Sequence, residues 1–151
     1  MSIPTLSRAA RKRTERDLYQ NIRRRFDADI SRQKKRYTKD QFEHLARMLD
    51  DKTRLVMFGL IRQAVNQTPG LGDKHVEPVL NELQKYEIDL DMPAGDILRK
   101  EMVDRLSTIQ MNRMLHTVDK AIHALEDVKG IGPKRFVTVT ENLARLLREN
   151  S

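Results

Sequence analysis

The sequence predicts an all-α protein: a compact multi-helix domain preceded by a long basic N-terminal helix or arm. Of its 151 residues, 34% are charged and 38% are hydrophobic, a balance typical of helices with one buried stripe and one solvated face. Aromatic residues make up only 5%, and strong helix formers dominate the rest. The length suits one domain, or one domain with an arm.

Basic residues are concentrated near the N-terminus. Residues 1–37 contain 12 Lys/Arg and 4 Asp/Glu, a net charge of +8, whereas residues 38–151 contain 17 and 18, a net charge of −1. We therefore predict a basic arm over 1–37 and a helical domain over 38–151. Such an uneven charge is typical of a protein that binds a polyanion. The basic residues form three clusters: Arg8, Arg11, Lys12, Arg13 and Arg16; Arg23, Arg24 and Arg25; Arg32, Lys34, Lys35 and Arg36.

The arm is predicted to be one helix over residues 6–36. Its apolar positions recur every four residues, at Leu18, Ile22, Phe26 and Ile30. At this spacing Tyr19 and Phe26 are expected in the core rather than as base-stacking platforms. No apolar stripe precedes Leu18, so residues 5–16 are expected to fray, or to stay disordered, without a partner. The helix would set the three clusters about 15 Å apart, which suits contact along a duplex backbone.

The later helices are predicted from capping signals and apolar spacing. Thr38-Lys39-Asp40-Gln41 matches a capping box and begins a second helix. Asp50 and Asp51 are predicted to cap a third, which ends before a turn at residues 67–73. The remaining predicted segments are a helix containing Val76–Leu83, a connector over 87–93, a helix over 94–127 with a possible restart at Ser107, and a last helix after 133 that includes the β-branched run 136–140.

A glycine turn separates the last two predicted helices. Gly130 and Gly132 would adopt positive φ and let a phosphate approach the backbone. Ile131 would insert between the helices, and Pro133 suits a first helical position, where its missing N–H costs nothing. The N–H groups and the positive end of the following helix favour an anion. The basic residues beside this turn are Lys129, Lys134 and Arg135.

Residues 125–147 resemble the helix-hairpin-helix motif of DNA-binding proteins, which has a Gly-apolar-Gly turn and a basic first turn in its second helix. The resemblance implies contact with a DNA backbone through the turn. A weaker copy at 65–84 places Gly70, Gly72 and Lys74 each 60 residues before its counterpart. Phe136 and Val76 stand where the family usually has a small residue, so Phe136 is expected to point elsewhere or to separate the helices. The simpler alternative for both turns is a plain helix C-cap.

These features favour a non-enzymatic nucleic-acid-binding protein that contacts phosphates, with weak sequence specificity and steep salt dependence. Duplex DNA is the expected ligand, and structured RNA is an alternative that the same phosphate contacts could bind. A rival interpretation is a small regulatory protein that binds a component of the replication or transcription machinery. An anionic lipid surface or a merely solvated helix face also remains open for the arm. The location is expected to be cytoplasmic, on the nucleoid if DNA is bound, with no membrane insertion.

No catalytic, metal or cofactor pattern is predicted. The chain has no cysteine, which excludes disulfides and thiolate chemistry. His116 and His123 share a helix face but lack a third ligand at metal spacing, and all four histidines are expected to be ordinary surface or partly buried residues. The acidic residues of the connector are the remaining candidates for a magnesium-dependent nuclease site, although acidic connectors are far commoner. These residues are Glu87, Asp89, Asp91 and Asp96.

Overall fold

The computed structural model describes residues 8–150, which contain five helices and a ribbon of two antiparallel strands with two residues each. The elements are α1 (Arg8–Asp29), β1 (Arg36–Tyr37), α2 (Lys39–Asn66), α3 (Asp73–Gln84), β2 (Ile97–Leu98), α4 (Arg99–Glu126) and α5 (Pro133–Glu149). The predicted all-α fold is confirmed. The predicted fraying at residues 5–7 lies outside the described residues.

The chain repeats itself at an offset of 60 residues. α2 and α4 each have 28 residues and start 60 positions apart, as do α3 and α5. In the antiparallel ribbon, Tyr37 pairs with Ile97, its own counterpart in the repeat. Pairing of equivalent positions in antiparallel strands places an approximate two-fold axis at the ribbon. α3 packs on both α4 and α2, and α5 packs mainly on α2, so each half contributes to the core of the other.

α2 is a single helix, so the predicted break at Asp50 and Asp51 is wrong. Thr38 does form the predicted capping box with Gln41. Asp50 lies on the inner face of the helix, where its carboxylate accepts hydrogen bonds from Nε of Arg113 at 2.6 Å and from Nη2 at 2.8 Å. Only 6% of Asp50 and 1% of Arg113 is exposed. This bidentate contact satisfies both buried charges and keeps a polar residue inside the helix.

α4 begins at Arg99 rather than near residue 94, because the preceding residues pair with β1. It continues through Ser107, so the predicted restart there is also wrong. The hydroxyl of Ser107 donates to the carbonyl of Val103 at 2.6 Å, which satisfies it without interrupting the helix.

α1 ends at Asp29, whereas the sequence predicted helix as far as residue 36. Arg99 donates hydrogen bonds to the carbonyls of Asp27 at 2.7 Å, Ile30 at 2.9 Å and Ser31 at 3.1 Å. Helix ends leave such carbonyls without helical partners, so Arg99 caps α1 from α4. Its Nη1 also donates to the Asp27 carboxylate at 2.9 Å, and this hydrogen bond lowers the pKa of Asp27.

α1 packs antiparallel on α4. Asp27 contacts the first residue of α4, and Arg23, one turn earlier in α1, donates to Asp104 at 2.7 Å. Leu18 and Ile22 are buried in the main core cluster, as their spacing predicts. The N-terminal end of α1 therefore points toward the end of α4 that carries the turn at 127–132. The boundary at residue 37 between arm and domain stays a prediction.

Candidate nucleic-acid interface

The first glycine of each turn has a positive φ, and the second does not. Gly130 adopts a φ of 96° and Gly70 a φ of 85°, the left-handed conformation that favours glycine. Gly132 has a φ of −77° and Gly72 a φ of −155°, and each is the N-cap of the following helix. The predicted positive φ at Gly132 is therefore wrong, because an N-cap takes extended backbone angles. Pro133 is the first residue of α5, as predicted.

The two turns lie against each other across the approximate two-fold axis. A Cβ atom placed on Gly70 would lie 2.5 Å from Nη2 of Arg135, and one placed on Gly130 would lie 3.1 Å from Nε2 of His75. His75 and Arg135 are counterparts in the 60-residue repeat. Each turn is thus covered by the equivalent side chain of the other, and residues 65–84 are the structural counterpart of 125–144.

Hydrogen bonding distinguishes the two turns. The N–H of Gly72 donates to Nδ1 of His75 at 3.1 Å, so the first turn caps itself. Arg135 has no acceptor atom and cannot do the same for Gly132. It donates instead from Nη1 to the carbonyl of Gly130 at 3.2 Å. The N–H of Gly132 therefore lacks the side-chain acceptor that His75 provides for the N–H of Gly72.

Charge distinguishes the turns in the same direction. Asp73 lies in the first turn of α3, where it complements the positive helix end and accepts a hydrogen bond from Arg62 at 3.2 Å. The first turn of α5 has no acidic residue. Lys129 and Lys134 are exposed beside it. The α5 end is the more favourable place for an anion, whereas the α3 end already carries a carboxylate.

The central apolar residue of each turn is part of the packing. Ile131 and Leu71 are half-buried against the main core cluster, as predicted for Ile131. Phe136 is also half-buried against this cluster, and Val76 is fully buried within it. These bulky side chains therefore add to the core at the positions where the resembled family has small residues.

The basic arm presents one continuous exposed face. Its exposed basic residues on the side of α1 away from the core are Lys12, Arg13, Arg16 and Arg24, with Asp17 and Gln20 also exposed on this side. Arg23 is turned toward α4, where its hydrogen bond with Asp104 raises the pKa of the guanidinium. Arg11 is half-buried, and Arg25 is exposed beside a groove between α1 and α2. Arg8 is the first residue of α1.

The third basic cluster lies at the opposite end of the molecule from the glycine turns. Arg32, Lys34, Lys35 and Arg36 are all exposed around the end of α1 and the ribbon. Lys34 donates to Oε1 of Gln41 at 3.2 Å, and its Nζ lies 4.9 Å from the ring centroid of Tyr37. Since α2 and α4 both run from ribbon to turn, their 28 residues separate the two ends by about 40 Å.

The acidic connector does not assemble a metal site. Glu87 lies 3.8 Å from Arg54, and Asp91 lies 4.0 Å from Arg105. Asp89 accepts a hydrogen bond from the backbone of Asp91 at 2.9 Å. Across residues 8–150, no three His, Cys, Asp or Glu side chains are grouped closely enough to hold an ion.

Three sets of contacts were not predicted from the sequence. His75 contacts the second glycine turn and Arg135 contacts the first. The signal in the sequence was that these two residues are 60 positions apart, as the glycines are. The buried pair of Asp50 and Arg113 had a weaker signal, because Asp50 falls in phase with Ala46 and Met57 on the inner face of α2. The capping of α1 by Arg99 leaves no mark in the local sequence of either segment.

Comparisons with protein-family models, with curated proteins and with solved structures give no match for this chain. The likeness to the helix-hairpin-helix motif therefore depends on the residues of the two turns alone. Each helix within residues 8–150 is too short or too polar to traverse a bilayer.

Proposed function

We propose that this protein binds nucleic acid, duplex DNA first, through phosphate contacts and without catalysing a reaction. The observation that carries the proposal is the outer face of α1. Lys12, Arg13, Arg16 and Arg24 share this exposed face, whereas the neighbouring Arg23 is committed to Asp104. Arginine matches phosphate geometry through bidentate hydrogen bonds, so three of these four residues suit a phosphate backbone.

The length of this face suits several consecutive phosphates. Lys12 and Arg24 are twelve residues apart, which corresponds to about 18 Å along a helix. Phosphates on one strand of B-DNA recur about every 3.4 Å along the axis, so the face spans roughly five base pairs. Contacts of this kind position a protein without reading bases, which is the basis for the expected weak sequence specificity.

The turn at 129–134 would add a second contact at the end of the molecule toward which the N-terminus of α1 points. Its support is the contrast with the turn at 69–74, where Asp73 and His75 already satisfy the helix end. Lys129 and Lys134 would flank a phosphate held at the start of α5. The helix-hairpin-helix resemblance points to the same role for this turn.

A salt-dependent binding assay tests the proposal. Fluorescence anisotropy with a short duplex should show steep weakening of binding as salt rises. Replacing the four basic residues of the α1 face by alanine should weaken binding at low salt by at least about tenfold. The control replaces two exposed lysines at the ribbon end, Lys39 and Lys100, and should lose much less affinity for each charge removed. Equal losses in both variants would contradict a contact along α1.

The internal repeat supplies a second matched control. Lys134→Glu and Lys74→Glu alter equivalent positions of the two turns. Only Lys134→Glu is expected to weaken duplex binding, because only the α5 end lacks its own carboxylate. Arg135 is left unchanged in this test because its side chain packs between the turns. A larger loss with Lys74→Glu would reverse the assignment of the two turns.

Two other ligands are separated by simple competition. Structured RNA would engage the same phosphates, so a duplex RNA that competes better than duplex DNA would identify RNA as the ligand. This chain could instead be a small regulatory protein whose arm binds an acidic surface of a partner protein. In that case the alanine variant of the α1 face should no longer capture the partner. Wild-type protein would then bind neither nucleic acid. DNA binding would place the protein on the cytoplasmic nucleoid.

A further inference from the structure

A stripe of exposed apolar side chains runs along the solvent side of α2. Leu45, Met48, Leu55 and Val56 are 40%, 56%, 70% and 47% exposed. They are four of the six large hydrophobic side chains that are exposed within residues 8–150. With Lys52, they lie on one helix face at the three- and four-residue spacing of a helix–helix contact.

One position of the equivalent face of α4 is covered by α1. Leu115, the counterpart of Leu55 in the repeat, is only 8% exposed and belongs to the same core cluster as Leu18 and Ile22 of α1. α1 itself has no counterpart beside α2. Thr108 and His116, the counterparts of Met48 and Val56, are exposed polar residues. The apolar stripe is therefore a feature of α2 alone, and within residues 8–150 no helix occupies it.

A groove extends this apolar surface toward α1. Leu49, Val56 and Met57 line it from α2, and Phe26 lines it from α1. The groove has a volume of about 330 Å³. A side chain from a helix packed on the stripe would have a cavity to enter beside Val56.

Gly59 continues the stripe by one turn and contacts no packing partner within residues 8–150. Glycine inside a helix is destabilising relative to alanine. A Cβ atom at Gly59 would meet nothing within 4 Å, so no neighbour among the described residues requires a glycine there. The absence of a side chain would instead give space to a residue from another molecule.

We propose that this face binds a second copy of the chain, with the two α2 helices antiparallel and centred on Lys52. Positions equidistant from the centre then meet, so Leu45 of one copy faces Gly59 of the other, and Met48 faces Val56. At the centre the two Lys52 side chains face each other, and an aspartate of the other copy compensates each positive charge. Asp51 and Lys52 are adjacent, exposed and opposite in sign, so each lysine reaches the aspartate of the other copy.

The oligomeric state of the full chain tests the surface. Sedimentation equilibrium of the wild type should show a reversible dimer, and the dimer Kd of Leu45→Glu with Val56→Glu should rise by roughly 100-fold. Leu98→Glu with Val137→Glu is the matched control, because these residues are 50% and 45% exposed outside the stripe. Circular dichroism should show both variants folded. A wild type that stays monomeric up to ~1 mM, or a stripe variant that dimerises normally, would overturn the proposal.

A cysteine cross-link tests the arrangement of the helices. The chain contains no cysteine, so Lys52→Cys introduces a single thiol at the centre of the antiparallel pair. The two thiols would meet across the axis, and mild oxidation should give a covalent dimer. Gln63→Cys lies on the same face but away from the centre, so it should not cross-link. A disulfide dimer of the Gln63 variant alone would overturn the proposed register.

Discussion

The guanidinium of Arg135 lies against Gly70, in the first turn of the other half of the chain. The imidazole of His75, 60 residues earlier than Arg135, lies in the same way against Gly130. These reciprocal contacts hold the two turns side by side at the end of α2 and α4. The imidazole of His75 can accept a hydrogen bond and the guanidinium of Arg135 cannot. The two turns therefore differ chemically although these residues occupy equivalent positions.

Glycine is required at 130 but not at 132. Gly130→Ala should lower the free energy of unfolding by about 1–2 kcal/mol, because a left-handed φ strains an L-residue. Gly132→Ser should leave stability unchanged or raise it, since serine is a preferred N-cap. Urea unfolding of the two variants beside the wild type measures both effects. Equal losses at the two positions would contradict the backbone described for this turn.

The buried pair of Asp50 and Arg113 should be intolerant of single substitutions. Asp50→Ala leaves an unpaired guanidinium in the core and is expected to cost about 3–5 kcal/mol of unfolding free energy. Combining Asp50→Leu with Arg113→Met should recover much of this loss, because no buried charge remains. Urea unfolding of the single and double variants decides the point, and a double variant no better than the single would argue against a charge effect.

Stability at the ribbon end should depend on acid pH through Asp27. The hydrogen bond from Arg99 lowers the pKa of Asp27 in the folded chain. Its stabilising contribution is therefore complete above the unfolded value of about 3.9 and is lost as the pH falls through the lower folded value. Asp27→Asn should lower the melting temperature near neutral pH, and the difference from the wild type should close in strong acid.

A matched variant separates this contact from the loss of one negative charge. Asp29→Asn removes an exposed carboxylate two residues further along the chain. Its melting temperature should follow that of the wild type across the pH series. If both variants show the same pH dependence, the hydrogen bond from Arg99 is not its source.

The salt dependence of DNA binding should count the phosphate contacts of the α1 face. Each lost contact reduces the slope of log K against log salt by about 0.9, so alanine at Lys12, Arg13, Arg16 and Arg24 should reduce it by roughly 3–4. Anisotropy titrations at several salt concentrations measure the slope. A weaker affinity with an unchanged slope would mean that these residues act by another route than phosphate contact.

The sequence was informative where local rules decide the structure. Apolar spacing predicted the burial of Leu18 and Ile22, and a capping box predicted the start of α2. Helix ends set by distant residues were not predictable in this way. Aspartate is a common helix cap, yet Asp50 lies within α2, where its carboxylate pairs with the buried Arg113, 63 residues away. α1 stops because Arg99 binds its last carbonyls, and nothing near residue 29 signals that contact.

The candidate interface was predicted in its residues but not in its arrangement. Spacing along one long helix implied that all three basic clusters follow a single line. The end of α1 at Asp29 instead leaves the third cluster around the ribbon, far from the glycine turns. The matching offset of the glycines predicted two related turns, whereas their contact through Arg135 and His75 depends on how α3 and α5 pack on the long helices.

The packing of α5 on α2 and of α3 on both long helices joins the two halves in one core, which has a consequence for the connector after α3. A protease that cuts the backbone between residues 87 and 96 would release no independent domain, because neither fragment holds a complete core. The two pieces should remain associated and elute as one species, and they should find each other again when mixed after denaturation. The peptide link between the halves would then be dispensable for the native state and would matter chiefly for how fast the chain reaches it.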